Sequence, residues 1–127
     1  MDLDEEPRRG NDSEVVAAGR RRLGEAMADG CGIVREGERL QQTQTVIREI
    51  RDSLRAPAYG VDELELFNLL TVAEHMVESA LMREESRGVH LRSDFPQEDD
   101  GKWRRHVLLH GAPRCDTPVI TLSPLEE

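Results

Sequence analysis

His106 and His110, four residues apart in "HVLLH", are the first candidates for chemistry. Imidazoles at that spacing share a face on a strand and are neighbours on a helix. His90 with the carboxylates of Asp99 and Asp100 could complete a metal site around them. The spacing matches no recognised metal motif, and a strand with two surface imidazoles explains it equally well. No metal ligand is therefore assigned. A denser group lies in "LMREESRGVHLRSDFPQEDDGKWRRH", Leu81 to His106: Arg83, Glu84, Glu85, Arg87 and Arg92. One reading is a solvated helix end, with Arg83 and Arg87 repelling at i,i+4 and Glu84 relieving them. The other is a docking patch, in which Arg87 or Arg92 makes bidentate pairs with carboxylates on another surface. The residues alone favour the first.

Nucleophile and nucleotide chemistry find less support. Cys31 and Cys115 form no CxxC, and their spacing does not call for a disulfide. Either thiol would need a base, and the spacing names none. A phosphate cradle needs glycines at a helix N-terminus. The chain has no GxGxxG and no GxxxxGK[ST], and "GCG" at 30–32 is too short to count. No catalytic or cofactor-binding residue is assigned.

The elements that position these residues must come from 127 residues, enough for one small domain. Aromatic residues are only 3%, so the core has to be built from Leu, Val, Ile, Ala and Met, which favours helix-on-helix packing over a sandwich. A net charge of −9 argues against nucleic acid and anionic membranes as partners. The basic runs Arg20-Arg21-Arg22 and Arg104-Arg105 are flanked by carboxylates and read as solvated faces or docking contacts. No apolar run approaches the roughly 18 residues of a membrane span. The acidic start "MDLDEEPRRGNDSE" is unlike a signal peptide, so a reducing cytoplasmic setting is expected.

Residues 1–12 read as a disordered acidic leader, and 13–127 as one domain. Ser13 is the expected N-cap of a first helix, whose stripe of Val15, Val16, Leu23, Ala26 and Met27 ends at Gly30. Gly19 and Gly24 weaken it by about 1 kcal/mol each relative to Ala. Gly30 and Gly32 suit a turn with positive φ, and Ile33 and Val34 are expected to plug the end of a bundle. A second helix spans about Glu38 to Leu54, with Leu40, Thr43, Ile47, Ile50 and Leu54 on one face. "RAPAYG" breaks it. The third helix is expected from an Asp62 N-cap to a stop at Gly88, about 40 Å long. Its stripe holds Leu66, Leu69, Leu70, Ala73, Met76, Val77, Ala80 and Leu81. "RHVLLHG" and "PVITLS" then suggest a small hairpin. The expected fold is mainly α: an antiparallel three-helix bundle with a long third helix, then an extended loop and a C-terminal β-hairpin.

The order of segments carries a resemblance. "GCGIVREGERLQ", "LELFNLLTVAEHMVESALMREESRGVHLRSDFP", "DDGKWRRHVLL" and "VITLSP" together are similar to the C-terminal helical domain of the succinate dehydrogenase, fumarate reductase and L-aspartate oxidase flavoproteins. The match spans Arg22 to Pro124, with "ESRG-x-H-x-R-x-D" from Glu85 to Asp94 at the end of the long helix. "GIVR" with "ERL", "LEL-x-NLL" and "SDFP" resemble L-aspartate oxidase most. "DDGKWRRH" before a hairpin is also similar to the succinate and fumarate enzymes. L-aspartate oxidase ranks first and the dicarboxylate dehydrogenases second.

This resemblance implies a parent that transfers hydride between FAD and a four-carbon dicarboxylate; the oxidase makes iminoaspartate for NAD synthesis. The FAD fold and the catalytic residues of such enzymes lie in other domains, so the implied role here is non-catalytic, with FAD held by the parent rather than this chain. The implied partners are the FAD-binding and capping domains, in cis or in trans, with self-association open. Glu85, Arg87, His90 and Arg92 would then dock on those domains or hold the helix end and loop in shape. An excised domain, a separate subunit and a gene relic all fit. A free-standing acidic interaction module and a small metalloprotein are the competing readings.

Overall fold

The computed structural model describes residues 10–111 and 119–125. Three helices make its core: α1 (Ser13–Gly30), α2 (Gly37–Ser53) and α3 (Val61–Met82). Apolar residues at helical spacing put Val16 and Leu23 of α1, Leu40, Ile47 and Ile50 of α2, and Leu66, Leu70, Ala73, Val77 and Ala80 of α3 into one buried cluster. Cross-helix ion pairs give the directions. Arg22 of α1 reaches Glu49 of α2, and Arg51 of α2 reaches Glu74 of α3. Gly30, at the end of α1, lies against Thr43, while Gly19 approaches Ile50 and Leu66. Partners therefore run in opposite senses between α1 and α2, and α1 runs alongside α3: an up-down-up bundle.

Short elements cover one end. β1 (Val34–Arg35) pairs in parallel with β2 (Leu91–Arg92), joining the loop after α1 to the loop after α3. The one-turn helix α4 (Asp100–Trp103) precedes an antiparallel hairpin of β3 (Val107–His110) and β4 (Val119–Leu122). The expected hairpin is thus present. Its connecting residues, with Cys115, lie outside the described residues, as does the leader up to residue 9. Cys31 is a buried free thiol.

Several expectations at the helix ends need correction. Asp12, not Ser13, caps α1, its Oδ1 accepting the Glu14 N–H at 2.9 Å. Asn11 is held as well, exchanging hydrogen bonds with the backbone of Arg55. Gly60 rather than Asp62 occupies the N-cap of α3; Asp62 and Glu63 sit in the first turn, where carboxylates favour the helix dipole. The helix stops at Met82, not Gly88, so its 22 residues span about 33 Å. Gly88, with φ +56°, instead forms the turn of a small Arg87–His90 bridge. Among the described glycines it alone has positive φ, so Gly30 and Gly32 do not serve that purpose. Ile33 does not plug the bundle: it is 81% exposed, and Val34 is also exposed. Leu69 and Met76 likewise face outward, because α3 is apolar on more than its core side.

Gly30 is needed for close approach. A Cβ there would lie 1.7 Å from Thr43 Oγ1 and 3.0 Å from the Arg39 carbonyl, whereas a Cβ on Gly24 meets open space. Two alanine substitutions should therefore have opposite signs in urea unfolding. Gly24→Ala should stabilise by about 0.5–1 kcal/mol through helix entropy. Gly30→Ala should destabilise by about 1–3 kcal/mol through overpacking. Destabilisation by Gly24→Ala would mean that α1 packs differently.

Candidate docking site at the charged end of the central helix

The C-terminal carbonyls of α3 have no partners further along the helix. Arg92 supplies them. Its Nη1 donates to the carbonyls of Ala80, Leu81 and Arg83 at 2.8, 3.1 and 3.3 Å. Strand β2 delivers this side chain, and its two-residue pairing with β1 holds the backbone there. Two residues further on, Asp94 grips the same guanidinium with both oxygens, from Nε at 2.8 Å and Nη2 at 2.7 Å. Asp94 Oδ2 also accepts the Gly37 N–H at 3.0 Å, at the first turn of α2. A cation thus meets the negative end of one helix and an anion the positive end of the next. Hydrogen bonding to Arg92 lowers the Asp94 carboxyl from 3.8 to about 2. The Phe95 ring lies 5.0 Å from the guanidinium.

Glu85 organises the second half of the site. Its carboxylate is fully buried, yet all its acceptor positions are used. Oε1 takes Arg83 Nη1 at 2.7 Å and Arg87 Nε at 2.9 Å. Oε2 takes Arg87 Nη2 at 3.2 Å and the Asp99 N–H at 2.9 Å. Burial pushes this carboxyl up, but the bonds from Arg87, Asp99 and Arg83 together bring it from 4.5 down to about 2. Arg83 also donates to the carbonyls of Trp103 and Arg105 at 2.8 and 2.6 Å, fastening the hairpin to the end of α3. Arg87 reaches outward to Glu98 and Asp100. The expected repulsion between Arg83 and Arg87 is therefore replaced by a shared buried anion. Glu84 is turned away towards Lys102.

His90 lies between two groups of fixed polarity. Nδ1 is 3.2 Å from Arg35 Nη1, which can only donate, and Nε2 is 3.0 Å from the Arg83 carbonyl, which can only accept. The imidazole is therefore neutral with its proton on Nε2. Burial lowers its pKa, and the nearby Arg35, Arg92 and Arg83 charges reinforce this, against the Arg83 carbonyl bond. Both nitrogens are occupied, so His90 does not join His106 and His110. His110 hydrogen-bonds Thr121, and Asp99 caps α4. Among the described residues no three His, Cys, Asp or Glu side chains cluster as a metal site would require.

Glu85, Arg87, His90 and Arg92 are thus one connected network, but of unequal access. Glu85 and Arg92 are 0% and 3% exposed, whereas Arg87 is 31% exposed. Spacing did not identify Arg35 as a member, and it did not show that Arg83, Ser86 and Asp94 bond to the other four. Arg92 and Asp94 are two apart, which in extended chain places them on one face, and that was the available signal. Ser86 Oγ accepts the Arg92 N–H and donates to the Phe95 carbonyl, a local pattern that sequence alone does not announce.

Comparison with known proteins identifies the family. The family described as fumarate reductase flavoprotein C-term matches residues 20–126. The fumarate reductase flavoprotein subunit of Mycobacterium tuberculosis (strain ATCC 25618 / H37Rv) is 36% identical over 115 residues, covering 81% of this chain and 19% of the relative. The L-aspartate oxidase of Streptomyces coelicolor is 35% identical over 108 residues, covering 79% and 19%. A solved quinol-fumarate reductase with menaquinol molecules superposes with TM-score 0.72 at 30% identity, covering 93% of this chain and 22% of that one. The chain spans about a fifth of the length of the curated relatives it matches. Identities of 36% and 35% do not separate the two activities, so ranking the oxidase first gains no support.

Two predictions follow from the network. Arg92→Ala leaves the Ala80 and Leu81 carbonyls without this donor and Asp94 with only the Gly37 N–H, and should cost about 3–5 kcal/mol in urea unfolding. A loss under 1 kcal/mol would mean that solvent replaces the guanidinium. The pH response has a definite sign. Glu85 and Asp94 titrate lower in the fold than in the open chain, so the stability they lend is complete above their ordinary values of 4.5 and 3.8. That stability should drain away as pH falls towards 2, and Glu85→Gln should flatten the slope across this window. His90, also lowered, adds a smaller loss beginning below 6.5. A slope unchanged in Glu85→Gln would remove Glu85 from the account.

Proposed function

Because this chain belongs to the fumarate reductase flavoprotein C-terminal family, we propose that it is the non-catalytic helical domain of an FAD-dependent oxidoreductase. In this reading it packs against the flavin-bearing body, which transfers hydride to or from a four-carbon dicarboxylate. The observation that carries the reading is the outer face of α3. Val61, Leu64, Leu69, Val72 and Met76 are all exposed there, on the side away from the bundle core. A helix apolar on both sides is one that is buried on both. The relatives supply a cover, since about four-fifths of their length lies outside the matched region.

FAD supplies the hydride chemistry when bound to that body. The residues described here do not fit its phosphates. The N-terminus of α2 already holds an anion, the Asp94 carboxylate, and the chain has no GxGxxG. No residue here is given a part in hydride transfer. Arg87 and His90 stand at the edge that docks, while Glu85 and Arg92 act by holding the loop in the shape that docks. Both orders of assembly, in cis and in trans, use the same face. Among the described residues no helix is long and apolar enough to cross a membrane. The free Cys31 thiol suits a reducing cytoplasmic setting.

The test is capture from the source lysate with tagged chain, reading partners by mass and flavin absorbance. The wild type should retain a flavoprotein of the dicarboxylate family. Val72→Glu with Met76→Glu should lose it while far-UV circular dichroism stays helical, and Arg87→Ala should remain folded and retain less. Equal capture by wild type and the double variant would sink the assignment of the α3 face. Unfolding by Arg87→Ala would make that residue a purely internal support.

A further inference from the structure

A cavity of about 780 Å³ opens between the end of α3 and the hairpin. Its lining includes Arg83, Arg87, Arg104, Arg105, His106 and Trp103, and no described carboxylate. That is unusual in a chain of net charge −9. Arg83 and Arg87 are already committed to Glu85. Arg104 and Arg105 make no ion pair among the described residues. Two enclosed donors, Arg105 Nε and Trp103 Nε1, also have no acceptor among the described residues. Trp103 itself is 2% exposed. Guanidinium groups only donate, so the complement to the Arg104 and Arg105 charges in this lining is an anionic acceptor.

We infer that this cavity receives an acidic peptide segment of the flavin-bearing body, whose carboxylates pair with Arg104 and Arg105. Volume and chemistry favour a peptide over a small free anion. The space is several times what one carboxylate fills, and Trp103, Pro124 and Leu125 add an apolar wall that suits side chains beside the charge. The choice of source rests on the function proposed above; the site does not. The α3 face would contribute apolar area to that contact, and the cavity would contribute charge pairing and register.

Trp103 is the only tryptophan, so its fluorescence reports on the cavity directly. The experiment titrates the chain with hexaglutamate, hexaglutamine and citrate, each at low and high salt, alongside Arg104→Glu and Arg105→Gln. Hexaglutamate should produce a saturable change that salt weakens. Either substitution should raise its Kd at least about tenfold, as loss of a charge-assisted hydrogen bond does. Hexaglutamine should be inert. No saturable change, or an equal response to hexaglutamine, would overturn the site. Citrate binding as tightly as hexaglutamate would make it a small-anion site instead. The lysate capture is then repeated with Arg104→Glu, an exposed residue whose change spares the core. Reduced flavoprotein capture supports the stated source. Unchanged capture beside intact hexaglutamate binding to the wild type would overturn that source, while the α3 result still judges the docking reading separately.

Discussion

A long helix leaves its last carbonyls without partners of its own, and the loop beyond Met82 is arranged around that constraint. The chain does not close α3 with a glycine cap. It brings Arg92 back from ten residues downstream and spends one terminal nitrogen on three carbonyls. A buried guanidinium then requires an anion, which Asp94 provides. Asp94 in turn needs another donor, and the first turn of α2 supplies it. The parallel pairing of β1 with β2 is the backbone consequence, because Arg92 reaches its place only if the loop after α3 runs beside the loop after α1. One unsatisfied helix end thus dictates the meeting of three segments distant in sequence.

Burying so much charge is a poor way to gain stability. Desolvation of two ions usually offsets their attraction, and an apolar replacement of equal volume is often as stable. What such a network provides is discrimination between conformations. Glu85 has four acceptor positions filled by donors from three different residues, so a loop shifted by one position leaves a buried carboxylate unpaired. The loop carrying Arg87 and His90 therefore has one shape before any partner arrives. On the docking reading, an edge preset in this way loses little conformational entropy on association.

The bundle was legible in the sequence because burial alone decides it. The spacing of Leu40, Thr43, Ile47 and Ile50 places them on one helical face, and all four are buried. The ends were less legible, because caps depend on which neighbour reaches a group first. Asp12 took the role expected of Ser13, and Gly88 proved to be a turn residue inside the loop rather than a helix stop. In the site, the residue types were visible but not their pairing. Arg83 and Arg87 look repulsive on a helix and become partners once the chain leaves it, since Glu85 then faces both. Ile33 and Val34 failed as core residues for a different reason. Apolar residues in a domain that covers a fifth of its relatives' length need not face its own core.

Charge on this chain works on two length scales. At a distance the net −9 dominates, and an acidic partner would be repelled rather than steered. Screening at physiological salt confines that repulsion to about 8 Å, so only carboxylates close to the contact oppose it. Close in, the lining of Arg104 and Arg105 prevails, in a cavity where low dielectric strengthens each pair. Apolar area is insensitive to this sign problem, so the exposed face of α3 can drive association before any charge is matched. Matching the charges afterwards selects orientation. A domain tethered to its body loses nothing by slow encounter, because effective concentration replaces steering; a detached one would rely on the apolar face for speed and on the basic cavity for fidelity.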